Sequence, residues 1–158
     1  MIADEPTTAL DVTIQAQILE VMKNLKQKYD MSMIMITHDL GIVAEICDEV
    51  SVVYAGRVVE HGTIEDVFNN TKHPYTEGLF NSLPNINHRN EMLKPIHGLM
   101  PDPTEEITGC AFAPRCNYAT PACSAKAPSM HQISDSHYIL CSAYDNEDFK
   151  IKRVCGDE

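Results

Sequence analysis

Residues 1–3 and 32–36 are short apolar runs that stop at acidic or polar residues, and a segment of helical period lies between them. That order, strand then helix then strand, restricts the fold more than any other feature. A strand followed by a helical crossover returns parallel to its own sheet and with a fixed hand. The two strands then end at one rim, the place where ligands of such sheets bind. Here the first run ends at Asp4 and Glu5, and the second at Thr37, His38 and Asp39.

Local signals fill in the frame. Asp11 suits an N-cap, and Ile14, Ile18, Val21, Met22, Leu25 and Tyr29 fall on one face, so residues 12–29 are expected to form an amphipathic helix. The continuous run at 32–36 reads as a strand buried on both faces. Residues 40–46 suit a short helix, and 50–54 and 57–61 suit two strands joined at Ala55 and Gly56. Gly62 and Thr63 close that hairpin and cap another short helix. The sequence His73-Pro74-Tyr75-Thr76 opens a helical stretch to about residue 83. Proline then recurs from residue 84 to residue 128, which excludes long helices there. A boundary is expected near residue 85, dividing the chain into 1–84, an irregular cysteine-bearing module at 85–145 and a charged tail at 146–158.

Bulk properties narrow the partners. A formal charge of -11 disfavours a broad electrostatic grip on nucleic acid or on bare anionic membrane. The chain contains no apolar run of the roughly 18 to 20 residues needed to cross a bilayer. Membrane association would therefore go through another protein. The acidic start, Met1-Ile2-Ala3-Asp4-Glu5, lacks the basic and apolar stretches of a secretory signal. Six cysteines in a chain without an export signal point to metal binding or buried thiols more than to a disulfide scaffold.

Two constellations carry chemistry. A carboxylate at a strand end can hold Mg2+ through water, a neighbouring glutamate can orient a water for attack on a terminal phosphate, and a histidine one strand over can reach the same phosphate. Asp4, Glu5 and His38 fit those parts, although each alone would pass for an ordinary turn or surface residue. The second constellation is Cys110, Cys116, Cys123 and Cys141, spaced C-x5-C-x6-C-x17-C. Four thiolates suit an iron–sulfur cluster or tetrahedral zinc, and the close pairs typical of zinc sites are missing, which favours iron and sulfur. The competing reading is four small apolar core residues, or adventitious oxidation pairs. Cys47 and Cys155 read as bystanders, as do His61, His73, His88, His97 and His131, while His137 is close enough to Cys141 to join a metal shell.

The run M-I-A-D-E-P-T-T-A-L-D followed by I-T-H-D-L resembles the Walker B, D-loop and H-loop order of ABC ATPases. In addition, H-P-Y-T at 73–76, G-L-M-P-D-P from residue 98, G-C-A-F-A-P-R-C-N-Y-A, and H-Y-I-L-C ending at Cys141 resemble the carboxyl-terminal extension of oligopeptide and dipeptide importer ATPases. The resemblance implies an α/β fold: part of a P-loop NTPase core with a small irregular extension. It implies a subunit that hydrolyses ATP with Mg2+ to power peptide import. Asp4 would be the magnesium carboxylate, Glu5 the catalytic base, His38 the switch histidine and Asp11 a contact to a second ATPase subunit, identical or not. It further implies a four-iron, four-sulfur cluster on the four cysteines, with zinc as the alternative. Transmembrane permease subunits would be the other partners, and the location would be cytoplasmic, on the inner face of a bacterial plasma membrane.

Neither the glycine-rich phosphate loop G-x-x-x-x-G-K-[ST] nor an L-S-G-G-Q signature occurs in these residues. In the family both precede the acidic pair. The expectation is therefore a fragment that alone neither binds ATP tightly nor hydrolyses it. The rival readings are a metal-binding interaction module and a truncated product without function.

Overall fold

A computed structural model describes residues 1–83, 95–102 and 104–151. The expected boundary near residue 85, His88, Cys155 and the last part of the tail lie outside the described residues. The chain forms two compact units, Met1–Asp48 and Glu49–Glu158.

In the first unit, β1 (Ile2–Asp4) pairs parallel with β2 (Ile34–Ile36), matching Ile2 to Ile34, Ala3 to Met35 and Asp4 to Ile36. The crossover is α1 (Val12–Lys28), and α2 (Leu40–Ile46) follows β2. Asp11 caps α1 by accepting the amides of Thr13 and Ile14, each at 3.0 Å. Asp39 caps α2 in the same way through Gly41 and Ile42. Ion pairs at 2.7 Å, Lys23 to Glu45 and Lys26 to Asp48, bind α1 to the α2 segment.

Two expectations change here. The buried residues of α1 are Leu19 and Met22, flanked by half-buried Gln15, Ile18 and Leu25, while Val21 and Tyr29 are exposed. The packed stripe is thus rotated from the one the apolar residues suggested. Secondly, β2 is not buried on both faces. Along both strands the middle residue, Ala3 or Met35, is half-buried and its neighbours are exposed. Strand side chains alternate between faces, so Ile2, Ile34 and Ile36 share the outer one. No described residue covers that face well: Ile2 is 71% exposed and Ile34 61%.

The second unit is built on a four-stranded antiparallel sheet in the order β3-β4-β6-β5. Its hairpin joins β3 (Glu49–Tyr54) to β4 (Arg57–Thr63). The turn has positive φ at both central residues, 46° at Ala55 and 75° at Gly56, the geometry that matches strand twist in a two-residue connection. Thr63 then starts α3 (Ile64–Asn69) with a complete capping box to Asp66. The next helix is α4 (Pro74–Asn81), in which Pro74 takes the position where a missing N–H costs nothing and His73 Nδ1 accepts the Tyr75 amide at 3.1 Å.

The proline-rich region, read as a compact irregular module without long helices, returns two strands to the hairpin. After the short helix α5 (Pro121–Ala125) come β5 (Met130–Gln132) and β6 (Tyr138–Leu140). Strand β6 inserts beside β4, pairing Ile139 with Glu60 and Tyr138 with His61. Ile139 is fully buried as a result. Tyr54, Val59 and Phe112 form a core that the Tyr75 ring joins, with Tyr54 to Tyr75 centroids 4.6 Å apart and Tyr54 to Phe112 5.3 Å. Arg115 reaches the same place, donating to the carbonyls of Ile96 and His97 and to the Tyr54 hydroxyl.

Candidate functional site

The rim of the first unit gathers the acidic pair and the histidine. Parallel pairing brings Asp4 opposite Ile36, and the Glu5 amide continues the ladder by donating to the Ile36 carbonyl at 2.8 Å. Glu5 and His38 thus leave adjacent strands at the same level. Glu5 Oε1 lies 3.0 Å from His38 Nδ1, and Thr8 Oγ1 donates to Glu5 Oε2 at 2.7 Å. The Thr8 hydroxyl, and after it His38, hold the Glu5 carboxyl below its ordinary range. Both carboxylate oxygens are therefore engaged while the group stays open to solvent.

The backbone around this carboxylate is strained. Glu5 has φ 43° and Ala9 φ 61°, in the left-handed region that side chains with a Cβ seldom adopt. The turn at 5–10 is held by backbone bonds from Thr8 to Glu5 and from Leu10 to Thr7. Asp4 stands exposed at the end of β1. Asp11 is occupied as the cap of α1, the modest role the sequence also allowed.

The second unit brings the four cysteines into mutual range. The charges of Cys110, Cys123 and Cys141 all act on Cys116, and those of Cys110 and Cys123 on Cys141. Burial pushes the Cys116 and Cys141 thiols up to about 11, and their cysteine neighbours push in the same direction. Backbone amides oppose this: the Tyr118 N–H donates to Cys116 and the Ala143 N–H to Cys141. The Cys110 amide donates to the Cys123 carbonyl at 2.7 Å, closing the loop between them. Gly109 is what permits that closure, because a Cβ there would lie 2.5 Å from the Cys123 carbonyl oxygen. Among the described residues no three His, Cys, Asp or Glu side chains close around a single point where one metal ion could sit.

A third cluster escaped the sequence reading. Glu60 on β4 and His137 before β6 are fully buried, with Glu60 Oε1 2.8 Å from His137 Nε2. The same carboxylate accepts the amides of Lys72 at 2.6 Å and His73 at 3.1 Å. His137 therefore faces Glu60, while its Nδ1 has no partner among the described residues. His73 is also buried, and burial holds its imidazole down at about 4, so it remains neutral at ordinary pH. Nearby, Asp66 on α3 accepts from Ser136 Oγ at 2.7 Å, so the segment that leads into β6 is tied to α3 as well as to β4. The signal that could have revealed the cluster was one glutamate on an apolar strand beside a hairpin. Its partner, 77 residues away, could not be inferred from local pattern.

A strand, crossover and acidic rim in one unit, and an antiparallel sheet in the unit that holds the four cysteines, make this a mixed helix-and-sheet chain. Residues 59–123 match the family described as "Oligopeptide/dipeptide transporter, C-terminal region". The chain is homologous to peptide import ATP-binding proteins. It is 49% identical over 147 residues to the oligopeptide transport ATP-binding protein AppD of Bacillus subtilis, an alignment covering 93% of this chain and 45% of that protein. It is 49% identical over 145 residues to the dipeptide transport ATP-binding protein DppD of the same organism, covering 92% and 43%. A putative peptide import ATP-binding protein of Brucella ovis is 48% identical over 147 residues, covering 89% and 44%. The chain thus spans less than half the length of these relatives.

Proposed function

We propose that these residues form the carboxyl-terminal part of an ATP-hydrolysing subunit that powers peptide import. The observation that carries this reading is the 3.0 Å approach of Glu5 to His38 at the common rim of two parallel strands. In this reading Glu5 orients the attacking water and takes its proton, His38 holds Glu5 and reaches toward the terminal phosphate, and Asp4 binds Mg2+ through water. The donor set fits, since one hard carboxylate suffices for Mg2+ when phosphate oxygens and water supply the remaining ligands. Bound Mg2+ would neutralise phosphate charge. The fold class is accordingly that of a P-loop NTPase core, with the N–H groups that cradle phosphate supplied by residues outside these 158.

The same reading places the protein at the cytoplasmic face of a bacterial membrane, bound to permease subunits and to a second ATPase subunit through the turn ending at Asp11. Among the described residues no helix is long and apolar enough to cross a membrane.

Cys110, Cys116, Cys123 and Cys141 would hold a four-iron, four-sulfur cluster. Two features support the fit: four thiols in mutual electrostatic range, and two amides aimed at sulfur, which stabilise thiolate. When bound, the cluster would cross-link the segment 110–116, α5 and the end of β6.

The deciding experiment replaces the matching region of AppD with this chain. The chimaera is expected to hydrolyse ATP, and Glu5→Gln to lower turnover on the order of 100-fold or more while ATP still binds. Unchanged turnover in a folded, ATP-binding Glu5→Gln chimaera would refute the role of the rim.

A further inference from the structure

Phe149 lies outside the family match and beyond the last of the four cysteines, yet its ring is built into their surroundings. It packs edge-on against Tyr118, with centroids 5.4 Å apart, and against Tyr144, 5.0 Å apart. Those two tyrosines follow Cys116 and Cys141 in sequence. The Tyr118 amide donates to the Cys116 sulfur, and the Ala143 amide, one residue before Tyr144, donates to the Cys141 sulfur. Each tyrosine is anchored at its far end, Tyr118 to Glu77 Oε1 at 3.0 Å and Tyr144 to the Lys72 carbonyl at 2.8 Å. The turn that returns Phe149 to this place is fixed by Asn146, which accepts the amides of Asp148 and Phe149.

We propose that Phe149 is a clamp on the four-thiol site, its ring wedged between Tyr118 and Tyr144 so that the turns after Cys116 and Cys141 stay together. The clamp fixes the two sulfur-directed amides and limits the approach of oxidants and chelators. It rests on the reading of the four cysteines as one metal site. Edge-to-face packing gives the wedge a preferred geometry that an aliphatic side chain of similar bulk does not reproduce. Site-selective thiol chemistry follows exposure and local opening, so removal of the wedge has a direct readout.

The test uses the whole chain, reduced and metal-free, with an aromatic disulfide reagent and mass spectrometry at each cysteine. In Phe149→Ala, Cys116 and Cys141 should react about fivefold to tenfold faster than in wild type, while Cys47, in the first unit, keeps its rate. Equal rates at Cys116 and Cys141 in a folded variant overturn the clamp. Should circular dichroism show Phe149→Ala unfolded, Phe149→Leu decides: about a twofold acceleration supports the clamp, and none overturns it. A second arm reconstitutes wild type and variant anaerobically with iron and sulfide and follows bleaching in air, expected to be faster in the variant. A wild-type chain that takes up no iron would defeat the cluster and leave the thiol rates to judge the clamp.

Discussion

The Glu60 carboxylate meets His137 Nε2 at 2.8 Å with both side chains at zero exposure, so one buried contact ties the hairpin to the strand that the cysteine region returns. Three donors converge on Glu60, and an amide in its place would turn an N–H2 toward one of them. Glu60→Gln should therefore cost roughly 2–4 kcal/mol of stability in urea unfolding. His137→Ala should cost a similar amount, and the double variant should lose less than the sum, because both remove the same contact. Additive losses would show that the two residues stabilise the sheet independently.

His73 makes the second unit acid-sensitive. Its imidazole titrates at about 4 when folded against an ordinary 6.5, because burial disfavours the charged form. Below pH 6.5 the unfolded chain binds a proton that the folded chain refuses, so stability is complete above that pH and falls as pH drops toward 4. The loss reaches about 3 kcal/mol if His73 acts alone. Asn can accept the Tyr75 amide as a cap but does not titrate, so His73→Asn should flatten the profile between pH 6.5 and 4. A profile unchanged in His73→Asn would show that His73 is not the source of the acid sensitivity.

How far the sequence revealed these sites follows from the range of each interaction. Helix α2, the hairpin turn at Ala55 and Gly56, the Thr63 cap and the His73-Pro74 start were legible, because turns and caps are fixed by residues within a few positions of one another. The juxtaposition of Glu5 and His38 was legible for another reason: a crossover forces both strands to one rim. What stayed hidden depended on distant partners. Nothing local announces that Ile139 will pair beside Glu60, that Gly109 must admit the Cys123 carbonyl, or that Phe149 folds back onto Tyr118. The rotated face of α1 was misread because an exposed isoleucine or valine looks the same in sequence as a buried one.

The Thr8 hydroxyl is the largest single cause of the lowered Glu5 titration, and His38 adds to it through both its hydrogen bond and its charge. Thr8→Ala should raise the Glu5 midpoint toward the ordinary range, and so should His38→Ala. Carbon-detected NMR titration of the side-chain carboxyl measures both shifts on the chain itself. A midpoint unchanged in Thr8→Ala would show that the hydroxyl does not hold the carboxyl down. Because the group is exposed, neither substitution should change global stability through this effect.

The outer face of the two-stranded sheet carries the remaining consequence. Ile2, Ile34 and Ile36 lie together there, and Ile36 is 51% exposed on strands whose outer edges are unpaired among the described residues. Apolar surface beside unpaired backbone templates association with another chain. The isolated chain should therefore self-associate with rising concentration in sedimentation velocity. Ile34→Thr with Ile36→Thr keeps β-branched side chains suited to strands while removing apolar surface, so the pair should shift the chain toward monomer. Because both residues already face outward, unfolding stability at low concentration should change by no more than about 0.5 kcal/mol per site. Self-association undiminished in the double variant would locate the sticky surface elsewhere, and a large loss of stability would mean that this face is packed in solution.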